Sequence, residues 1–359
     1  GEVKATLDVY CTTLEDDRAA WLIRELYYRR GFEFEEKFVR EFELRAGFEK
    51  HTWGKSDELR VLDILNPQYL NFVLFDKIEE RKIGRFTLAA GLSFGQKSKL
   101  EVLFLPVTQA SVLDNRILMP KAMQELYTLQ SMGSNTIDES LPQLQDLSAS
   151  SVGARLKSQL LGFDIDFYFY SGSWTQPRFV WTSTSNIHRQ YNRVMLAGFD
   201  FERNVGSFVF RGEMAWFFSG RSFSMNGLAT MMDAGTGGNG ILEKNYLQVV
   251  VGFDNRDFLL PRLYLNLQYG LNRVLAHDAR MLQEATEHLL TARLEYTLFK
   301  EALALRASAV WYLSRGFQVN PEIGIKLDSG TSLNLGAWLI NTDRDDYLLG
   351  SYDNLDFAY

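Results

Sequence analysis

The stretch Arg262–Asn272, R-L-Y-L-N-L-Q-Y-G-L-N, decides the fold. Leu263, Leu265, Leu267, Tyr269 and Leu271 share one side of an extended chain. Arg262, Tyr264, Asn266, Gln268, Gly270 and Asn272 share the other. Successive side chains of a β-strand point to opposite faces, so this alternation reads as a strand with one apolar and one polar face.

The same beat recurs along the chain. Phe163–Tyr170 sets Phe163, Ile165, Phe167 and Phe169 against Asp164, Asp166, Tyr168 and Tyr170. Phe208–Phe218 sets Phe210, Met214 and Trp216 against Arg211 and Glu213. Phe317–Asp328 sets Ile323, Ile325 and Leu327 against Glu322, Gly324, Lys326 and Asp328. Residues 2–12, 18–31, 38–51, 82–94, 97–107, 151–160, 189–202, 242–255, 287–299, 301–314, 331–341 and 353–359 read similarly, which predicts about sixteen strands. Around Leu22–Arg30 and Gln190–Phe201 polar and apolar residues do not separate cleanly, so no inward residue is assigned there.

Composition narrows the class. Of 359 residues 46% are apolar and 14% aromatic, but no run approaches the roughly 18 apolar residues of a spanning helix. The apolar content is spread in small packets, as a barrel needs when every second residue faces lipid. The net charge is −7 with no basic run, which speaks against nucleic acid as a partner. Cys11 alone forms no internal disulfide and fits no metal motif, and nothing in the sequence calls for a cofactor. The chain opens directly in a strand, as a processed mature form would. It closes on Tyr359: outer-membrane barrels often end in an aromatic, and a strand continued by a few more residues fits equally.

Connections alternate in length. Short joins at 32–37, 95–97, 161–162, 203–206, 256–260, 299–301 and 328–331 alternate with long ones at 52–81, 108–150, 174–188, 219–241, 275–286 and 342–352. Only the joins near Glu15 and Arg315 break the rhythm. Short periplasmic turns and longer extracellular loops are the habit of outer-membrane barrels. The Gly-, Ser- and Met-rich loop 219–241 reads as flexible, and Pro120–Met132 within 108–150 as a short helix.

Sixteen strands enclose a space too wide for side chains to fill, so the polar face belongs inside and the apolar face on lipid. Trp174, Trp181, Trp216, Trp311, Tyr312, Phe217 and Phe218 sit near strand ends, where aromatic girdles form. The expectation is one all-β domain over 1–359: a transmembrane antiparallel up-and-down β-barrel with a polar lumen. It would lie in the bacterial outer membrane against lipid and lipopolysaccharide.

Trp53–Pro67 reads W-G-K-S-D-E-L-R-V-L-D-I-L-N-P. Through Trp53, Gly54, Asp57, Leu59, Asp63, Asn66 and Pro67 it resembles the signature of a family of outer-membrane proteins of unassigned function. Several members of that family are encoded beside RND-type exporters or lipid-handling lipoproteins. Ile23–Tyr27 and Arg211–Glu213 also resemble that family's strands. Many members are longer, so this chain resembles a version with trimmed loops. The resemblance implies an outer-membrane barrel and supplies no substrate.

The same stretch is too apolar for a loop surrounded by water. Either it folds inward and narrows the pore, with Asp57, Arg60, Asp63 and Asn66 as constriction residues, or it caps neighbouring loops outside. By phase the lumen receives Glu41, Glu43, Arg45, Glu49, Arg85, Lys99, Glu101, Arg155, Lys157, Asp164, Asp166, Arg211, Glu213, Arg293, Glu295, Arg306, Glu322 and Lys326. Charges in a pore set ion preference, and cross-strand pairs such as those between 151–160 and 163–170 brace the wall. Of the histidines His51, His188, His277 and His288, only His277 adjoins an acid, Asp278. No nucleophile–base set accompanies it, so the reading is not an enzyme. Two functions remain: a porin-like channel for passive diffusion of small hydrophilic solutes or ions, or a plugged or laterally open barrel serving a lipid or hydrophobic-compound export system. Either is compatible with a homo-oligomer or a periplasmic exporter partner.

Overall fold

The computed structural model describes residues 1–12, 18–35, 38–69, 78–112, 136–139, 149–183, 186–328, 331–342 and 357–358. In chain order its strands are β1 (Glu2–Thr12), β2 (Arg18–Glu33), β3 (Val39–Glu49), β4 (Arg85–Phe94), β5 (Ser98–Leu105), β6 (Thr136–Glu139) and β7 (Ser151–Leu160). Then follow β8 (Phe163–Ser173), β9 (Arg178–Ser183), β10 (Asn186–Gln190), β11 (Arg193–Val205), β12 (Phe208–Ser219), β13 (Ser222–Ser224) and β14 (Ile241–Glu243). The last are β15 (Tyr246–Asn255), β16 (Leu263–Val274), β17 (Thr286–Leu298), β18 (Leu303–Tyr312), β19 (Gly316–Lys326), β20 (Ser332–Thr342) and β21 (Phe357–Ala358).

Sixteen of these form one sheet in the order β1-β2-β3-β4-β5-β7-β8-β11-β12-β15-β16-β17-β18-β19-β20-β21. Every neighbour is the next sheet strand in sequence and antiparallel, an up-and-down barrel wall. The short strands come from three of the long connections: β6, from one of them, joins β10 and β9, from the next, in a three-stranded sheet, and β13 pairs with β14 in the third.

The alternation places its faces as the residues demand. On β16, Leu267 is 37% exposed on the outer side and Gln268 is 4% exposed on the inner. Leu294, Leu305, Trp311, Ile323 and Leu335 continue the exposed apolar face around the wall. The sheet also curls. The backbone N–H of Leu59 bonds Gln268 on β16, while Asn66 bonds the end of β3. In a flat sheet those strands, eight spacings apart, would be separated by about 38 Å, further than seven residues at ~3.4 Å each can span.

Three expectations need correction. The loop 219–241 is folded: β13 and β14 pair, and a helix spans Gly227–Gly235 between them. Phe223 and Met225 are buried there, so apolar anchoring offsets the turn-prone composition. Phe217 is fully buried on the inner face and packs edge-on against Trp174 at 5.6 Å, so neither belongs to a lipid-side girdle. Its neighbour Trp216 is 43% exposed outside, as the pleat requires. The strand expected over 242–255 begins at Tyr246, because Ile241–Glu243 is taken by the small hairpin. The helix expected at Pro120–Met132, the join near Glu15, most of 108–150 and most of 353–359 lie outside the described residues.

Candidate functional site

At the end of β3 the chain turns onto the polar face and stays there through Tyr69. Asn66 sets the turn. Its side-chain oxygen accepts from the His51 N–H at 2.7 Å, and its amide donates to the carbonyls of Glu49 (3.2 Å) and Ile83 (2.8 Å). His51 Nε2 lies 2.9 Å from the Thr87 hydroxyl, which itself donates to the Arg85 carbonyl. Thr87 therefore accepts from His51, which places the imidazole proton on Nε2. Burial pushes the His51 pKa down to about 3, so the ring is neutral in its seat.

The loop's apolar side chains enter sockets in the wall. Trp53 packs on Tyr168 with ring centroids 5.1 Å apart and lies over Gly153, where a Cβ would sit 3.0 Å from the indole. Leu62 abuts Gly198 and Leu59 abuts Gly270 in the same way. Trp53, Val61, Leu62 and Leu65 join Leu103, Tyr168, Tyr170, Leu196 and Phe217 in one buried cluster. Apolar burial thus holds the loop to an otherwise polar surface.

Glu213 on β12 is the main polar anchor. Its carboxylate accepts backbone N–H bonds from Ser56 (2.7 Å), Val61 (2.9 Å) and Leu62 (3.3 Å). Converging backbone N–H groups are an anion-binding concavity, here filled by the wall's own carboxylate. Gly54 has φ +90 and a Cβ there would collide with Glu213, so the second motif residue must be glycine.

Ion pairs complete the seat. Lys55 reaches Asp200 (2.9 Å) and Asp166 (3.2 Å) and donates to the Asp164 carbonyl. Asp57 meets Arg211 (3.0 Å) and accepts from Asn266, while Glu58 meets Arg293 at 3.4 Å. Arg60 and Lys82 both hold Asp63, Lys82 at 2.5 Å, and both also hold Glu79. Burial nevertheless pushes the Asp63 carboxyl up.

The sequence-derived residues therefore divide. Asp57 contacts the wall, whereas Arg60, Asp63 and Asn66 brace the loop against itself and its flanks. Arg85 is fully buried and donates to the Leu65 carbonyl and to Ser151. Arg45 gathers Glu43, Glu49 (2.9 Å) and Glu101 (2.6 Å). Arg155 bonds Asp166 at 2.9 Å, the cross-strand pair expected between those segments. Arg211 also pairs with Glu202 and Asp254, not with Glu213. Arg293, Glu295, Arg306 and Glu322 form a chain on β17, β18 and β19. Glu41 accepts from Ser93, Asp164 and Lys326 are exposed, and Lys99 stands 3.4 Å from Glu43. Lys157 lines two cavities with Lys99.

Lys55, Glu58, Asp200, Glu202 and Asp254 were not anticipated. Asp200 and Glu202 lie where the alternation is unclear; Asp254 follows the same inward phase as Gly252 and Val250 and was legible. The His277–Asp278 pair splits: His277 faces the Gln283 carbonyl, and Asp278 is held by Arg280, whose side-chain bonds lower its pKa.

No protein-family model and no curated protein matches the chain. Among solved structures it is similar to the outer membrane channel DcaP of Acinetobacter baumannii, at 11% identity and TM-score 0.38 over 89% of this chain and 85% of that one. OmpF of Salmonella typhi, solved with daunomycin, gives 10% and 0.40 over 99% and 93%. OpdK of Pseudomonas aeruginosa, solved with vanillate, gives 10% and 0.30 over 94% and 92%. At these values the likeness carries no argument about solute or mechanism.

Proposed function

We propose that the protein is an outer-membrane channel through which small hydrophilic solutes diffuse, its lumen narrowed eccentrically by the loop 50–69. The observation that carries this reading is the sorting of the wall: an exposed apolar outer face and an inner face of charges and amides. The loop bonds β3, β4, β7, β8, β11, β12, β16 and β17. On β18, β19 and β20, Arg306, Glu322 and Asn334 remain partly or fully exposed. A water path therefore belongs on that side.

The apolar cluster of Trp53, Leu62, Leu65 and Phe217 favours a second reading, a plugged barrel that docks an export system. Planar-bilayer conductance separates the two. A channel gives a small steady current that grows when residues 56–62 are replaced by a short glycine linker. Silence from both folded proteins would remove the channel reading and leave the docking one.

A further inference from the structure

Two cavities line the inner wall below the loop, one of about 270 Å³ and one of about 400 Å³. Lys99 and Lys157 line both. These two residues are direct cross-strand partners on β5 and β7. Like charges directly opposite each other destabilise a sheet. The acids nearby do not relieve them. Glu43, Glu49 and Glu101 converge on Arg45, and Lys99 gains only a 3.4 Å approach to Glu43. Asp166, opposite Lys157 on β8, is already held by Arg155 at 2.9 Å and Lys55 at 3.2 Å. Among the described residues Lys157 makes no ion pair. The smaller cavity's lining carries six cationic side chains, Arg29, Arg45, Lys50, Lys99, Arg155 and Lys157, against three carboxylates. The larger continues the basic line towards the short-turn end with Arg40 and Lys97, against the single carboxylate of Glu41.

We propose that the Lys99–Lys157 pair is a binding step for a small anion, a compact carboxylate, between the short-turn end of the barrel and the base of the loop. The anion supplies the charge that the wall lacks. Two ammonium groups, each a compact point charge with three donors, suit the several oxygens of such a solute. The lining is almost wholly polar, which suits a solute with little carbon skeleton. The transport consequence rests on the channel reading above; the binding consequence does not.

The test uses the purified full chain with sodium succinate as probe. In a potassium chloride gradient the native channel prefers chloride, and Lys157→Gln lowers the anion-to-cation permeability ratio by about threefold, with Lys99→Gln acting alike. Millimolar succinate reduces the native chloride current and leaves that of Lys157→Gln unchanged. Removing one of two opposed lysines relieves repulsion, so both variants keep or raise the native unfolding temperature. Current with unchanged selectivity and no succinate block in the variants' parent overturns the site and spares the channel. If no current flows, calorimetry decides: succinate heat from native protein and none from Lys157→Gln sustains the site without the channel, and no heat from either overturns it.

Discussion

Glu213 shows how one side chain converts a polar wall into a seat for a loop. Three backbone N–H groups depend on it, and each is far from water. Glu213→Ala leaves them without a partner, at about 1–3 kcal/mol for a buried group. Hydrogen exchange should report lost protection at Ser56, Val61 and Leu62 while the strand amides stay protected. Gly54→Ala should do the same through backbone strain and collision with the carboxylate. His51 adds a pH dependence. Its seated form is neutral, with a pKa near 3 against 6.5 when released. The released state therefore binds an extra proton between those values, and the seat weakens as pH falls below about 6.5, by ~1.4 kcal/mol for each unit. Protease cleavage within 52–62 should accelerate from pH 7 to about pH 5. In His51→Gln that acceleration should vanish, and if it persists His51 is not its source.

At the scale of elements, the legibility of a strand followed its regularity. The β16 stretch alternates without interruption and read correctly. The segments that read poorly break a simple alternation in two different ways. On β2 the pairing steps from Glu25 opposite Thr6 to Ile23 opposite Leu7, passing over Arg24. An extra residue inverts the inside-outside phase at that point, so a single alternation cannot fit both sides of it. The stretch Gln190–Phe201 instead crosses two strands, β10 ending at Gln190 in the small sheet and β11 starting at Arg193 in the wall. Within β11 the phase is unbroken, but Val194 and Leu196 turn inward into the buried cluster beside the inward Asp200, so apolar and polar residues share one face and Asp200 becomes the partner of Lys55. The loop was half legible: its Leu and Val content demanded burial, but its sockets did not show. Gly270→Leu, where a Cβ meets Leu59 before any wall backbone, should expel Leu59 from its socket. The outcome to measure is a raised channel conductance in a wall that still resists boiling-free detergent electrophoresis as a folded band.

For the whole molecule, the outer face carries the membrane argument. Leu267 sits in the middle of β16 and points outward. A charge there costs about 2–4 kcal/mol if the position lies near the bilayer midplane. Leu267→Arg should lower stability by that amount in urea titrations of protein folded into lipid vesicles. A neutral outcome would remove lipid from the outer face. The inner face behaves differently, because most of its charges are paired and its solvent is water or the loop.

Strand count, antiparallel order and the face each regular strand turns inward were all legible in the residues alone. These follow from a period of two residues, which is local and survives without knowledge of neighbours. The apolar content of Trp53–Pro67 likewise required burial. Where it is buried depends on contacts between distant strands. The partners Glu213, Gln268 and Asp200 lie roughly 150 to 210 residues away from the loop, as the 157-residue separation of Ser56 from Glu213 and the 209 of Leu59 from Gln268 illustrate. Curling the sheet brings them within hydrogen-bond distance, and no local pattern records that curvature. The opposed lysines have the same origin: each follows its own strand's alternation, and only the register of β5 on β7 sets them face to face.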